Sequence, residues 1–247
     1  QDSSPRLSSP RTVGGSRRPS CARRAPGAAS AVLQRRVPAM GQAPVPKTAL
    51  VIGWNGTGKT AVCQRLRGQS SEPLPTQGVL REVATLKCGP QDEELECALE
   101  LIDIGIEPKL EAKTASYQPW LSSADSVIVV IEASKTAQRF RPEEIERSKA
   151  LMQSVSQEPE VRDKPFLVLA NKCDREDALP INEVMELFDL ENVFKGRTWQ
   201  LQRCSAVTAE GLKAGTAWLV FKLLEEAKER PSPGGGSGAY GGSHAIR

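Results

Sequence analysis

The eight residues Gly53-Trp54-Asn55-Gly56-Thr57-Gly58-Lys59-Thr60 fit G-x-x-x-x-G-K-[ST] in full. They follow a short apolar run, Ala49 to Ile52, and open a helical pattern, Gly58 to Arg67. Between a buried strand and a helix, such a loop turns backbone N–H groups inward around phosphate oxygens, with the helix N-terminus behind them. Lys59 is placed to contact the outer phosphates and the Thr60 hydroxyl to hold Mg²⁺. The candidate phosphate-binding residues are therefore Gly53, Asn55, Gly56, Thr57, Gly58, Lys59 and Thr60. A glycine-rich turn that carries Lys-Thr for packing alone is the weaker alternative, because both flanking elements are present.

Beyond the loop, apolar strand-like runs alternate with helical patterns. Val79 to Lys87 and Glu96 to Asp103 alternate like paired strands around the turn-rich Cys88-Gly89-Pro90-Gln91-Asp92, which predicts a hairpin. Val127 to Ile131 and Phe166 to Ala170 are continuous β-rich apolar segments, as expected for strands buried on both faces. Helices are predicted from Pro142 to about Ser156, Asn182 to Leu190 and Gly211 to Arg230, and a last strand from Thr198 to Cys204. This order predicts a three-layer α/β fold around a mostly parallel six-stranded sheet with one antiparallel edge strand, the architecture of phosphate-loop nucleotide-binding proteins.

The base is named by a second motif. Asn171-Lys172-Cys173-Asp174 follows the apolar run Phe166 to Ala170, where the ends of parallel strands present ligand contacts. An aspartate there accepts hydrogen bonds from the N1 and exocyclic amino groups of guanine, which adenine cannot offer. Asn171, Lys172 and Asp174 are the candidate base-reading residues.

Charge and composition exclude other chemistries. Of the net charge of +3, residues 1–47 hold +8, so residues 48–247 sum to −5. That acidic body argues against a nucleic-acid partner. The single histidine, His244, stands in the C-terminal Gly-rich stretch, which removes His-based triads and most His-ligated metal chemistry. Six widely spaced cysteines without a CxxC pair fit a reducing, cytoplasmic compartment better than a disulfide framework. No apolar run is long enough to span a bilayer.

Both ends lack hydrophobic period. Residues 1–46, rich in Arg, Ser and Pro, read as disordered, as leader sequence ahead of a start at Met40, or as an organellar transit segment. Residues 231–247 read as a flexible Gly-rich tail, and 47–230 as the folded domain.

Taken together, these residues resemble the ADP-ribosylation-factor-like (Arf-like) branch of the small GTPases over roughly Lys47 to Lys228. Pro75-Thr76-Gln77-Gly78 resembles the motif that carries the switch threonine. Ile102-Asp103-Ile104-Gly105-Ile106-Glu107 stands where the family has Trp-Asp-Val-Gly-Gly-Gln. Arg197-Thr198-Trp199, Cys204-Ser205-Ala206, Gly211-Leu212 and Trp218-Leu219 follow the C-terminal pattern. The resemblance implies a guanine-nucleotide switch in intracellular trafficking or signalling, loaded with GTP or GDP and Mg²⁺. Thr76 would join Thr60 at the ion, with Asp103 holding it through water. Ser205 and Ala206 would flank the base, with the Ala206 N–H directed to guanine O6. Effector proteins, and exchange or activating proteins, would bind the segments around Thr76 and after Asp103. As a plain reading, Asp103 caps the turn that follows its strand.

The departures are as informative. Ile106 replaces the glycine whose N–H reaches the γ-phosphate, and Glu107 replaces the water-orienting glutamine. A carboxylate beside a polyanion cannot donate an amide proton, so intrinsic hydrolysis is expected to be slow. A hydrolysis-deficient scaffold and an ATP-dependent kinase are the rival readings, and the Asn171 to Asp174 motif opposes the kinase. Met40-Gly41-Gln42-Ala43-Pro44-Val45 resembles an acylation start except at Val45, where Ser or Thr is wanted. Peripheral membrane association is thus the alternative to a purely cytoplasmic location. Trp54 either shields nucleotide, docks a partner or packs; Trp199, Trp218 and Phe221 are expected in the core, and Cys173 reads as filler within its motif.

Overall fold

A computed structural model describes residues 46–70, 74, 76, 78–88, 95–105 and 117–229 of the 247-residue chain. All of them fall in Ala43–Arg247, one of the two units into which the chain divides. Both end segments, the tip between the predicted paired strands, and Ile106 and Glu107 lie outside the described residues.

The apolar runs become the strands β1 (Lys47–Ile52), β2 (Val79–Cys88), β3 (Leu95–Ile104), β4 (Ser126–Glu132), β5 (Phe166–Asn171) and β6 (Trp199–Arg203). They form one six-stranded sheet in the order β2-β3-β1-β4-β5-β6. Every pairing is parallel except β2 with β3, so the expected single antiparallel edge is present. Helices cover both faces: α1 (Lys59–Leu66), α2 (Gln118–Leu121), α3 (Lys135–Phe140), α4 (Pro142–Gln157), α5 (Ile181–Leu187), α6 (Leu190–Val193) and α7 (Leu212–Glu229).

Strand alternation divides the apolar residues between two cores. Leu50, Ile52, Val129, Ile131 and Val168 pack with α4, α5 and α6 on one face. Ala49, Val51, Val130, Leu167 and Leu169 pack with α1 and α7 on the other. Every residue of β4 and β5 is buried, whereas β6, at the sheet edge, is only half-buried. Side chains that alternate across a strand lie on opposite faces, so a continuous apolar run needs cover on both sides.

Three expectations need correction. The single helix expected over Asn182 to Leu190 is two, because Asp189 takes φ +49°. Aspartate tolerates this left-handed conformation, and the break lets both Phe188 and Leu190 turn into the core. The short helices α2 and α3 were not anticipated; Ser134 caps α3 by accepting from the Ala137 N–H at 3.1 Å. Phe221, expected in the core, is 45% exposed. Its helix is apolar nearly all round there, and Leu219, Val220 and Leu223 occupy the core positions instead.

Candidate functional site

The site is built at the C-terminal ends of β1, β4 and β5, where the chain leaves the sheet. Gly53 follows β1 at φ +151°, and a Cβ there would lie 2.2 Å from the Val130 carbonyl oxygen of the next strand. The loop approaches β4 so closely that only glycine fits. Within the loop, the Thr57 hydroxyl donates to the Trp54 carbonyl at 2.9 Å. Lys59, nearly fully buried, reaches back to donate to the carbonyls of Gly53 at 3.0 Å and Trp54 at 3.2 Å. Burial lowers the Lys59 pKa, against the opposing pull of the Asp103 carboxylate. Asn55 and Gly56 are exposed. Trp54 is buried, its ring under the Arg147 guanidinium of α4 at 5.2 Å, so of its three readings the structure supports packing.

Three oxygen-bearing side chains meet at the first turn of α1. The Thr60 and Thr76 hydroxyls each lie 2.7 Å from Asp103 Oδ2 and 2.7 Å from one another. Two hydroxyls carry two hydrogens, so three such contacts cannot all be hydrogen bonds. The other Asp103 oxygen, Oδ1, is buried without a hydrogen-bond partner. Neighbouring ligands in an octahedral Mg²⁺ shell lie about 2.9 Å apart, given Mg–O distances of roughly 2.0–2.1 Å. The Thr60 and Thr76 hydroxyls, hard oxygen donors 2.7 Å apart, therefore fit two neighbouring Mg²⁺ ligands, with the Asp103 carboxylate behind them to hold a water of the shell. Asp103, one residue before the end of β3, faces these hydroxyls rather than the turn that follows. Gly105 secures the arrangement: its N–H donates to the Gly78 carbonyl at 2.8 Å, and a Cβ on it would lie 1.9 Å from the Thr76 carbonyl oxygen.

The base-reading motif is tied directly to the phosphate loop. Asn171, buried at the end of β5, donates its amide to the Thr57 carbonyl at 2.8 Å and accepts from the Ala206 N–H at 3.0 Å. The Ala206 hydrogen that the resemblance directs to guanine O6 is thus donated to Asn171 Oδ1 in this structure. Lys172 stands at φ +71°, and Asp174 is exposed beyond it. Ser205 is fully buried and accepts from the Val207 and Thr208 N–H groups, each at 3.1 Å. Arg65 of α1 braces this loop by donating to the Ala206 carbonyl at 2.9 Å and also to the Val207 carbonyl. Cys173 is buried, and burial raises its thiol pKa, which suits its reading as filler.

Sequence reasoning missed two contributors, Arg65 and Glu132. Glu132 has the clearer signal: it ends a parallel strand, where ligand contacts gather. Its carboxylate accepts from Lys172 at 2.8 Å. Among the described residues no group of His, Cys, Asp and Glu forms a metal cluster of three or more, so an ion at Asp103 relies on the threonines and on ligand oxygens.

A glycine-rich loop closing on a helix, joined by one asparagine to a second loop at the ends of parallel strands, defines a phosphate-loop nucleotide-binding protein of the small GTPase fold. The chain belongs to the ADP-ribosylation factor family, whose sequence model matches residues 40–223. It is 31% identical over 175 residues to ADP-ribosylation factor-like protein 3 of Chlamydomonas reinhardtii, covering 70% of this chain and 89% of that one. It is 27% identical over 190 residues to ADP-ribosylation factor-like protein 3 of Saccharomyces cerevisiae, covering 74% of this chain and 88% of the relative. The solved structure of the Arl6 (BBS3) small GTPase of Trypanosoma brucei, with the nucleotide analogue GppNp bound, shares the fold at a TM-score of 0.60. There the identity is 19%, and the match covers 73% of this chain and 98% of that one.

Proposed function

We propose that this chain is a guanine-nucleotide switch that binds GTP and GDP with Mg²⁺ and hydrolyses GTP slowly. The meeting of Thr60, Thr76 and Asp103 carries the reading, because it joins the phosphate loop, the following segment and the end of β3 at one point. Mg²⁺ held there by Thr60 and Thr76, with Asp103 behind it, would neutralise charge on the phosphate oxygens. Lys59 supplies a second positive charge, Asn171 holds the two loops in register, and Asp174 reads the base. Ile106 and Glu107 support the hydrolysis-deficient variant of this reading.

Partner binding is proposed along the open sheet edge. Val79 and Val83 are exposed on one face of β2 and Leu80 on the other, close in the chain to Thr76. Effector and regulatory proteins of trafficking or signalling are the partners proposed for it. The location proposed is the cytoplasm, with membrane contact only through lipid or protein partners. No described helix is long and apolar enough to cross a membrane.

The test is competition against fluorescent GDP on the full chain. GTP and GDP should displace the label and ATP should not, and EDTA should accelerate release. Asp174→Asn should weaken guanine-nucleotide binding by roughly 2–5 kcal/mol, as for other charge-paired contacts that lose one partner. ATP competing as well as GTP would overturn the guanine assignment.

A further inference from the structure

The carboxylate of Glu132 is nine-tenths buried at the end of β4 and belongs to neither the phosphate loop nor the base-reading motif. Its Oε2 accepts from Lys172 Nζ at 2.8 Å. Its Oε1 accepts from Arg141 Nη2 at 2.8 Å and from the Ser134 hydroxyl at 3.1 Å. Ser134 caps α3, and Arg141 is tied in turn to Glu144 of α4 at 3.1 Å. The carboxylate is therefore gripped from the α3–α4 side and cannot follow a moving lysine. Burial alone would raise its pKa, yet Lys172 and Arg141 hold it below the ordinary glutamate value, so it is charged at neutral pH.

Lys172 occupies the left-handed region at φ +71°, where a non-glycine residue persists only when its surroundings hold it. The residue before it, Asn171, points into the clamp on Thr57, and Asp174 follows on the exposed side. We propose that Glu132 is a positioning residue for nucleotide recognition: by fixing the Lys172 ammonium it holds the backbone turn that directs Asn171 to the phosphate loop and Asp174 to the base. The assignment rests on the guanine-nucleotide reading and adds to it a residue outside its motifs. Arg141 and Ser134 serve the same turn one step further away, by fixing Glu132 itself.

The experiment measures release of fluorescent GDP, and the preference for GDP over IDP, on the full chain. IDP lacks the exocyclic amino group that Asp174 would bind, so the preference reports the alignment of Asp174. E132Q should speed GDP release about tenfold, the scale of coupling between groups in one network. It should also narrow the GDP-to-IDP preference, which a merely structural role would leave unchanged. K172M should speed release as well, and E132Q/K172M should be no faster than K172M alone. E132D, which keeps the charge, should recover part of the wild-type rate; where E132Q does not fold, E132D and E132D/K172M give the same comparisons at smaller amplitude. Rates that multiply in the double variant, or an unaltered GDP-to-IDP preference, would overturn the role of Glu132 while leaving guanine binding intact. A wild-type chain that does not bind GDP would overturn both.

Discussion

The side-chain amide of Asn171 donates to the backbone carbonyl of Thr57 at 2.8 Å, and this bond joins the loop after β5 to the glycine-rich loop after β1. The opposite edge of the same amide accepts from the Ala206 N–H at 3.0 Å, so one residue aligns three segments that are far apart in the chain. Gly58 lies against it: a Cβ there would sit 2.4 Å from Asn171 Nδ2, at a φ of +97° that side chains rarely adopt. Alignment of these loops thus depends on an asparagine and on the missing side chain of a glycine.

Asn171→Ala should leave the Thr57 carbonyl and the Ala206 N–H buried without partners, at about 1–3 kcal/mol each. Melting temperature should fall and nucleotide release should quicken. Gly58→Ala should displace the same amide, so the double variant should release nucleotide little faster than Asn171→Ala alone. Thermal melts and dissociation rates check this, and independent, multiplying effects would mean that Gly58 does not act through Asn171.

Gly105→Ala should strike the Thr76 carbonyl and push Thr76 away from Asp103. On the proposed reading, Thr76 joins the ion when GTP is bound. Release of GTP should therefore quicken by about tenfold, a coupling of ordinary size, while release of GDP changes little. Stopped-flow release of both nucleotides, with Mg²⁺ and with EDTA, measures the difference. Equal effects on the two nucleotides would separate Thr76 from the γ-phosphate.

Much of this site is legible in the sequence because its parts are local. The phosphate loop occupies eight consecutive residues, and Asn171 to Asp174 directly follow a recognisable strand. The succession of strands along the chain and the antiparallel pair were legible for the same reason, since each apolar run carries its own period. Glu132 was not, because its partners Arg141 and Lys172 are separated from it by 9 and 40 residues, and Lys172 meets it only once β4 and β5 pair. Phe221 failed for the opposite cause: where apolar residues surround a helix, spacing no longer chooses the buried side. Trp54 left three readings open until the fold placed Arg147 over its ring.

Lys59 gives a pH dependence of definite sign. Burial lowers its pKa in the protein, whereas a bound polyphosphate would favour the charged amine and raise it. Binding should therefore take up a proton once the free protein begins to lose it from Lys59. As pH rises through that lowered value, affinity for GDP should fall, by at most about tenfold per pH unit for one proton. Guanosine, which carries no phosphate, should lack this fall, so the ratio of GDP to guanosine affinity isolates it. A ratio constant over alkaline pH would remove Lys59 from the phosphate contact.

On the proposed reading, turnover is where this chain should depart most from its family. Phosphoryl transfer to water asks the protein for placement and charge stabilisation rather than covalent chemistry. At the position the resemblance gives it, Glu107 would have no amide hydrogen to offer, and its negative charge would repel the phosphate. Ile106 adds a β-branched side chain where a glycine would move freely through the backbone conformations a switch can need. Single-turnover hydrolysis should accordingly be very slow in the unaltered chain, with GTP recovered intact after long incubation. Glu107→Gln alone should help little, because its segment still carries Ile106; Ile106→Gly with Glu107→Gln should raise the rate more than the two single changes combined. Rapid hydrolysis by the unaltered chain, or a double variant no faster than it, would detach both residues from the catalytic segment.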